Sequence, residues 1–398
     1  MWRHCGIGEC AVWLLLVSCS SSGGGSAVLS AGGGSASGGA LSSTGGSSQA
    51  NGGASSESGG GAGRASQHGG ASGASAGQAG VSGAGVGGAG ASGAGASGAG
   101  GAGGAGASSL PVIGGCPIFT RDDAWNTPVT NEGVDLAWTA KLQALVGSVN
   151  IHPDYGTGAG IPINVVPQAE TMLAVGFDVP DESEVGPYAF PGPSTALIEG
   201  GTPTSCSGDC HVLCVQQGSC LLYEGDACSY DNGWHCYSGA IFDLRKNSYG
   251  QRTKGFTSAD AAGLAISAGL IRYDEAAAGA IQHAIRFTVQ CTLPSFVSPA
   301  SHQAVPSKPP GCATNPNAVP MGLRVRLDPG VTVTGASKAA LAVIKAMQTY
   351  GMILADNGSP FFFQGEVSSK WNEAADIEPL KQIPASAFKV VQVPPLEP

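Results

Sequence analysis

Between residues 111 and 398 the apolar positions come in short runs separated by proline and glycine, not in long periodic stretches. Nine such runs, at residues 163–166, 172–177, 211–216, 220–224, 240–244, 283–290, 322–327, 352–355 and 361–364, are rich in β-branched and aromatic residues. Bounded by turn formers, they predict strands. Gln217-Gly218 between two of them predicts a tight hairpin. Helical spacing is rarer. Residues 135–146 place Leu136, Leu142, Leu145 and Val146 near one face. Ser337 stands at an N-cap position ahead of 339–350, where Leu341, Ile344 and Met347 follow helical spacing and Gly351 ends the run. A third short helix is expected over 374–382. Strands that are not interleaved with helices argue against a doubly wound parallel sheet. The expected fold is mainly β, a jelly-roll-like β-sandwich with two or three peripheral helices, in a single domain over 111–398.

The first 110 residues have a different pattern. Arg3 and His4 precede the apolar run 11–17, about seven residues against the roughly 20 that span a bilayer, so residues 1–19 read as an export signal. Leu16-Val17-Ser18-Cys19 resembles the bacterial lipobox, in which the cysteine is lipidated and becomes the mature N-terminus. Ser20 rather than Asp follows it, which favours sorting to the outer membrane. Residues 20–110 are built mainly from Gly, Ala and Ser, and 34 of the 65 glycines fall in 21–110. With no aromatic residue, that segment cannot bury enough surface to offset its ordering entropy. It is expected to be a disordered tether with a reach of about 50 Å. Collagen is excluded because glycine does not occupy every third place.

Composition sharpens the picture of the globular part. Arg3, Arg64, Glu9 and Glu57 cancel, so residues 111–398 carry the whole net charge of −10. That argues against DNA or RNA as a partner, because phosphates need a basic surface. Nine cysteines lie beyond residue 110, six of them between 206 and 236. In an exported chain they read as disulfides, and Cys206, Cys210, Cys214, Cys220, Cys228, Cys236, Cys291 and Cys312 are the expected participants. Nine is odd, so at least one thiol stays free or pairs with another chain. Cys291 and Cys312 flank a Pro-rich loop that a bridge between them would close. His211 and His235 lie within the cluster, but the closely spaced cysteine pairs of structural zinc sites are missing, and no metal is expected. No dinucleotide fingerprint, P-loop, nucleophile elbow or paired-His zinc-protease motif is present, and no cofactor is implied.

Several segments resemble a recurring group of secreted bacterial proteins of unassigned activity. They are Cys116-Pro117-Ile118-Phe119 with Trp125-Asn126-Thr127, His152-Pro153-Asp154-Tyr155-Gly156, Gly239-Ala240-Ile241-Phe242-Asp243-Leu244 and the stretch from Thr257 to Leu264. Arg272-Tyr273-Asp274-Glu275, His283-Ala284-Ile285-Arg286-Phe287 and the stretch from Tyr350 to Gly358 complete the match. It covers about residues 116–391, which favours one domain. The chain departs from the group in its additional cysteines around 206–236, a local insertion. The resemblance supplies no activity, so chemistry must be argued from the residues.

Ionised side chains inside apolar strands need a reason. Asp209-Cys210-His211 opens a strand, Asp243 ends one, Asp260 follows Ser258 by two, and His302 lies in the Pro-rich loop. His283 and Arg286 lie an odd number of residues apart, so a regular strand sends them to opposite faces unless a bulge intervenes. His211, Asp243, Asp260, His283, Arg286 and His302 are the candidate catalytic groups. Trp125, Arg272, Asp274 and Asp356 are candidate substrate contacts, with Trp234, Tyr237 and Trp371 as further rings for stacking on sugars. Each has a plainer reading: Asp356-Asn357 as a turn, His283 as a core histidine, Arg272 with Asp274 or Glu275 as a structural ion pair, Trp125 and Trp371 as core. Clusters of acids and histidines near strand ends supply general acids and bases. The expected function is a surface-tethered carbohydrate-active enzyme, either a hydrolase with paired carboxylates or a lyase in which Arg286 neutralises a uronate. The alternatives are a non-catalytic module binding glycan or cell wall, and a structural surface lipoprotein with buried polar networks.

Overall fold

The computed structural model describes residues 110–306, 309–391 and 393–398. The export signal, Cys19 and nearly all of the tether lie outside the described residues. Strands dominate. One four-stranded sheet runs in the order Ser238–Asp243, Leu221–Asp226, Val212–Gln216, Ile163–Val166. A six-stranded sheet runs Phe388–Val390, Arg324–Leu327, Met352–Asn357, Ile285–Val289, Phe362–Gln364, His152–Asp154. One core joins them. Val215, Leu222, Ala240 and Phe242 of the first sheet pack in the same buried cluster as Phe287, Val289, Val325 and Leu354 of the second.

The mainly β, layered organisation with few helices is the one the strand pattern implies, and the described residues fall in one compact unit. The pairing is mixed, which alternation alone does not reveal. Ile163–Val166 runs parallel to Val212–Gln216, and Ile285–Val289 runs parallel to Met352–Asn357. The Ile285–Val289 strand is buried at every position, as a central strand covered on both faces must be. The hairpin at Gln217-Gly218 is present, with Gln216 opposite Leu221 and Gly218 at φ +76°.

Both longer helices form, the second behind its expected cap and the first behind a cap at Asp135. Asp135 accepts from the Trp138 amide ahead of Leu136–Val146, and Ser337 accepts from the Ala340 amide ahead of Lys338–Thr349. Two side chains expected on the buried faces point outward: Leu136 is 76% exposed and Leu341 is 52% exposed, while Ala340, Val343 and Met347 are buried. Gly351 closes the second helix at φ +74°, where an added Cβ would come within 2.2 Å of the Val325 carbonyl oxygen. The third expected helix is a π-turn, Glu373–Ile377, followed by a 3-10 segment, Glu378–Gln382, that begins around Pro379. Helices Ile266–Gly269 and Tyr273–Ala278 are too short and too rich in small residues to show an apolar periodicity.

Four disulfides form: Cys116–Cys220, Cys206–Cys210, Cys228–Cys236 and Cys291–Cys312. They indicate an oxidising, extracytoplasmic setting. The Cys291–Cys312 bridge closes the Pro-rich loop as expected. Two assignments are corrected. Cys214, expected in a bridge, is a buried free thiol, and Cys116, not expected in one, pairs with Cys220 across 104 residues. Pairing elsewhere explains the first. Cys214 stands opposite Tyr223 in the sheet, buried in a second apolar cluster with its thiol donating to the Ala189 carbonyl at 3.0 Å. Cys228 and Cys236 of that cluster bond each other, and Cys206 at its edge bonds Cys210. Burial pushes the Cys214 thiol well above the ordinary thiol range. Thiol titration of the native, unreduced domain should therefore find Cys214 unreactive, and unfolding in denaturant should release one thiol that Cys214→Ala lacks. Two or more thiols released from residues 110–398 would contradict the pairing. No helix among the described residues is long and apolar enough to cross a membrane.

Candidate functional site

Three pieces of backbone bring ionisable side chains together. In the four-stranded sheet Val212 stands opposite Gly225, so His211, just before one strand, flanks Asp226 at the end of its neighbour. In the six-stranded sheet Arg286 stands opposite Ile353, but the register shifts after Phe287 and Thr288 meets Asp356. In unbroken register Asp356 would meet Val289 and share its face. The one-residue bulge turns it to the face of Arg286 and Thr288 instead. The third piece is the loop carrying Asp260. The three border a groove of about 460 Å³ whose lining includes Glu182, Asp209, His211, Asp226, Tyr237, Asp260, His302, Asp356 and Asn357.

The charges in its wall are arranged in two layers. Arg286 and Asp260 are both buried and form a bidentate pair, Nη2 to Oδ1 at 2.6 Å and Nε to Oδ2 at 3.2 Å. Arg286 Nη1 donates to Gln364 at 2.9 Å. Burial disfavours the guanidinium charge, but Asp260 outweighs burial and raises the Arg286 pKa above its ordinary value. In front of this pair, Asp356 lies 3.5 Å from Arg286 Nη2, with its side chain 27% exposed to the groove. Burial and the nearby Asp260 charge push the Asp356 carboxyl up to about 7, against the attraction of Arg286 and His211. A carboxyl that is half protonated near neutrality is suited to giving up or taking a proton.

The second pair is His211 with Glu199. The ring is 3% exposed, its Nδ1 lies 2.5 Å from Glu199 Oε2, and its Nε2 lies 3.5 Å from Asp226 Oδ1. Burial disfavours the imidazolium, but Glu199, Asp226 and Asp209 override it and hold His211 up at about 10. Asp226 is itself pushed up by burial to about 6, although His211 pulls it down. At the rim, Tyr237 is 48% exposed and its amide donates to the Asp226 carbonyl at 2.8 Å. His302 bonds the Ala261 carbonyl through Nδ1 at 2.7 Å, leaving Nε2 3.7 Å from Glu182. Ser258 is no free nucleophile. Its hydroxyl lies 2.6 Å from the Leu264 carbonyl and accepts from the Asp260 amide at 2.9 Å.

Of the ten candidate catalytic and substrate residues singled out in the sequence, His211, Asp260, His302 and Asp356 line this groove, Arg286 stands behind them against Asp260 and Asp356, and the other five are not among its lining. His283 is fully buried and bonds Glu275 at 3.2 Å and the Ala284 carbonyl at 2.7 Å. Arg272 joins the same network through Glu275 at 2.8 Å and the carbonyls of Ser267 and Leu270. Burial alone would raise Glu275, but Arg272 and His283 outweigh it and hold it at about 2. Asp274 faces solvent with Lys370, 3.1 Å away. Asp243 caps a surface turn, bonding the Arg245 amide and guanidinium at 3.1 and 3.0 Å, with Lys246 Nζ at 3.2 Å. Trp125 has no exposed surface and belongs to the main core, so it cannot stack on a ligand. Trp234 and Trp371 are also buried, which leaves Tyr237 as the open ring.

Glu199, Asp209 and Asp226 are site residues that the sequence pattern does not mark as catalytic or binding groups. Glu199 follows no strand and Asp226 looks like a strand-end acid. The available signal was that Asp226 follows Glu224 by two in a chain only 12% charged, placing two acids on one face of a strand. Glu224 is structural: wholly buried, it accepts from the amides of Ile266 and Ser267 and caps a short helix. Comparison with protein-family models, with curated protein sequences and with solved structures finds no match.

Proposed function

We propose that this protein is a surface-tethered carbohydrate-active enzyme, and specifically a hydrolase of a polysaccharide chain lying in the groove. The observation that supports it is Asp356: a partly open carboxyl at the groove wall, backed by a closed Arg286–Asp260 pair. In this reading Asp356 delivers a proton to the departing glycosidic oxygen. Asp226, from the other sheet, is the second carboxylate, and Tyr237 offers a ring face to a sugar. Lyase chemistry is less well supported, because the Arg286 guanidinium that would neutralise a uronate is already bonded to Asp260 and Gln364. A non-catalytic module would rest its affinity on exposed aromatics, and the three tryptophans Trp125, Trp234 and Trp371 are buried. A purely structural role suits the Glu275–Arg272–His283 network but not carboxylates left open in a groove. The test is release of reducing ends from a panel of polysaccharides by the full chain.

Attachment through Cys19 belongs to the same proposal and rests on Leu16-Val17-Ser18-Cys19 after a short apolar run. An outer-membrane anchor with a long Gly/Ala/Ser segment would let the domain search a polymer surface near the cell. Cys19→Ser should move the protein from the membrane pellet to the soluble fraction. A variant that still sediments with membranes after a salt wash contradicts the anchor.

A further inference from the structure

We propose that Glu199, Asp209 and His211 form a binding site for a divalent first-row cation, of the Zn²⁺ or Mn²⁺ kind, at one end of the groove. One ligand atom from each lies within 4.8 Å of the other two. The backbone interlocks them: the Glu199 amide donates to the His211 carbonyl at 3.1 Å, and the Ala227 amide donates to the Asp209 carbonyl at 3.0 Å. The Cys206–Cys210 bridge closes the loop that carries Asp209 and ends just before His211.

An independent feature comes from outside the three ligands. A metal-binding histidine characteristically offers its second ring nitrogen to a carboxylate, which fixes the tautomer and makes the ring a better donor. His211 is placed for this, with Nδ1 toward Glu199 and Nε2 toward Asp226 at 3.5 Å. The charge balance points the same way. Glu199, Asp209 and Asp226 have no Lys or Arg within ion-pair distance among the described residues, and Glu199 and Asp226 share one imidazole. Two carboxylates and one imidazole nitrogen favour a borderline first-row ion over Ca²⁺, whose sites are all oxygen. Three protein ligands leave a position open toward the groove. On binding, the cation replaces the proton held between His211 Nδ1 and Glu199, and that proton passes to solvent.

The test is cation uptake by the full chain, stripped with a chelator and titrated with ZnCl₂ or MnCl₂ by calorimetry. One equivalent should bind, more tightly than CaCl₂, with an observed heat that varies linearly with the buffer's ionisation enthalpy because a proton is released. Asp209→Asn, at an exposed position, and Glu199→Gln should each weaken binding at least about tenfold, and Asp226→Asn by roughly 10–100-fold. Absence of stoichiometric binding by the wild type overturns the proposal, and so does binding that Asp209→Asn leaves unchanged. Uptake is read without any substrate. A chain that binds the cation but cleaves no glycan sinks the hydrolase reading alone, and a chain that cleaves glycan without binding a cation sinks this one alone.

Discussion

Asp356→Asn should lower glycan turnover by at least about 100-fold while leaving the fold intact or more stable, because the variant keeps the shape and loses only the proton. The stability half of this expectation follows from the raised Asp356 pKa. In the unfolded chain the carboxyl ionises at its ordinary value of 3.8, whereas in the folded protein it resists ionisation until about 7. Folding stability is therefore unaffected by this group below the lower value. It falls as pH rises between the two, and the full cost is present above the upper one. Asparagine never ionises and escapes that cost. The variant should match the wild type in Tm near about pH 4 and exceed it near about pH 8. The Asn357 amide bond to Asp356 Oδ1, at 2.7 Å, can be kept by an asparagine carbonyl. Lost activity with gained stability marks a group held for chemistry at the expense of the fold. A variant that is less stable at about pH 8 would make Asp356 a structural partner of Arg286.

Asp260→Asn should do the opposite and cost roughly 3–5 kcal/mol, because it leaves the Arg286 charge buried without its counter-ion. Both side chains are sealed, at 3% and 0% exposure, so water cannot take the place of the lost carboxylate. Gln364 and Asp356 remain near the guanidinium, but Asp356 would then be drawn toward ionisation to replace the missing charge. The sequence pattern had made Asp260 a catalytic candidate. In the structure it is the support on which Asp356 depends. Chemical denaturation with an unchanged m-value checks this, since a shift in midpoint alone reports a stability change. A loss under about 1 kcal/mol would show that the pair is not the sealed ion pair described.

What could be read from the sequence divides along a physical line. Strand identity is local: β-branched runs such as Met352–Asn357 and Val212–Gln216 declare themselves by composition and bounding turns. Which strand lies beside which is not local. Nothing in Ile163–Val166 announces a parallel partner in Val212–Gln216, and nothing in Cys116 announces Cys220. The site follows the same division. His211, Asp260, Arg286 and Asp356 stand out as ionisable groups within apolar surroundings, and they converge. The bulge that decides where Asp356 points is a one-residue slip between two strands, invisible in either strand alone. His283 stood out for the same reason as His211, yet its neighbours Glu275 and Arg272 absorb it into a closed network. Burial of an ionisable group announces a partner, and only the fold says whether that partner is another side chain or an open groove.

The most direct test of the central claim is reducing-end release from neutral and acidic polysaccharides, measured between about pH 5 and 9 for the wild type beside Asp356→Asn. The account predicts release from at least one polymer by the wild type, a fall in rate as pH passes about 7 and the Asp356 proton is lost, and no release by the variant. Release that continues undiminished in Asp356→Asn, or its absence from every polymer with the wild type, would contradict it.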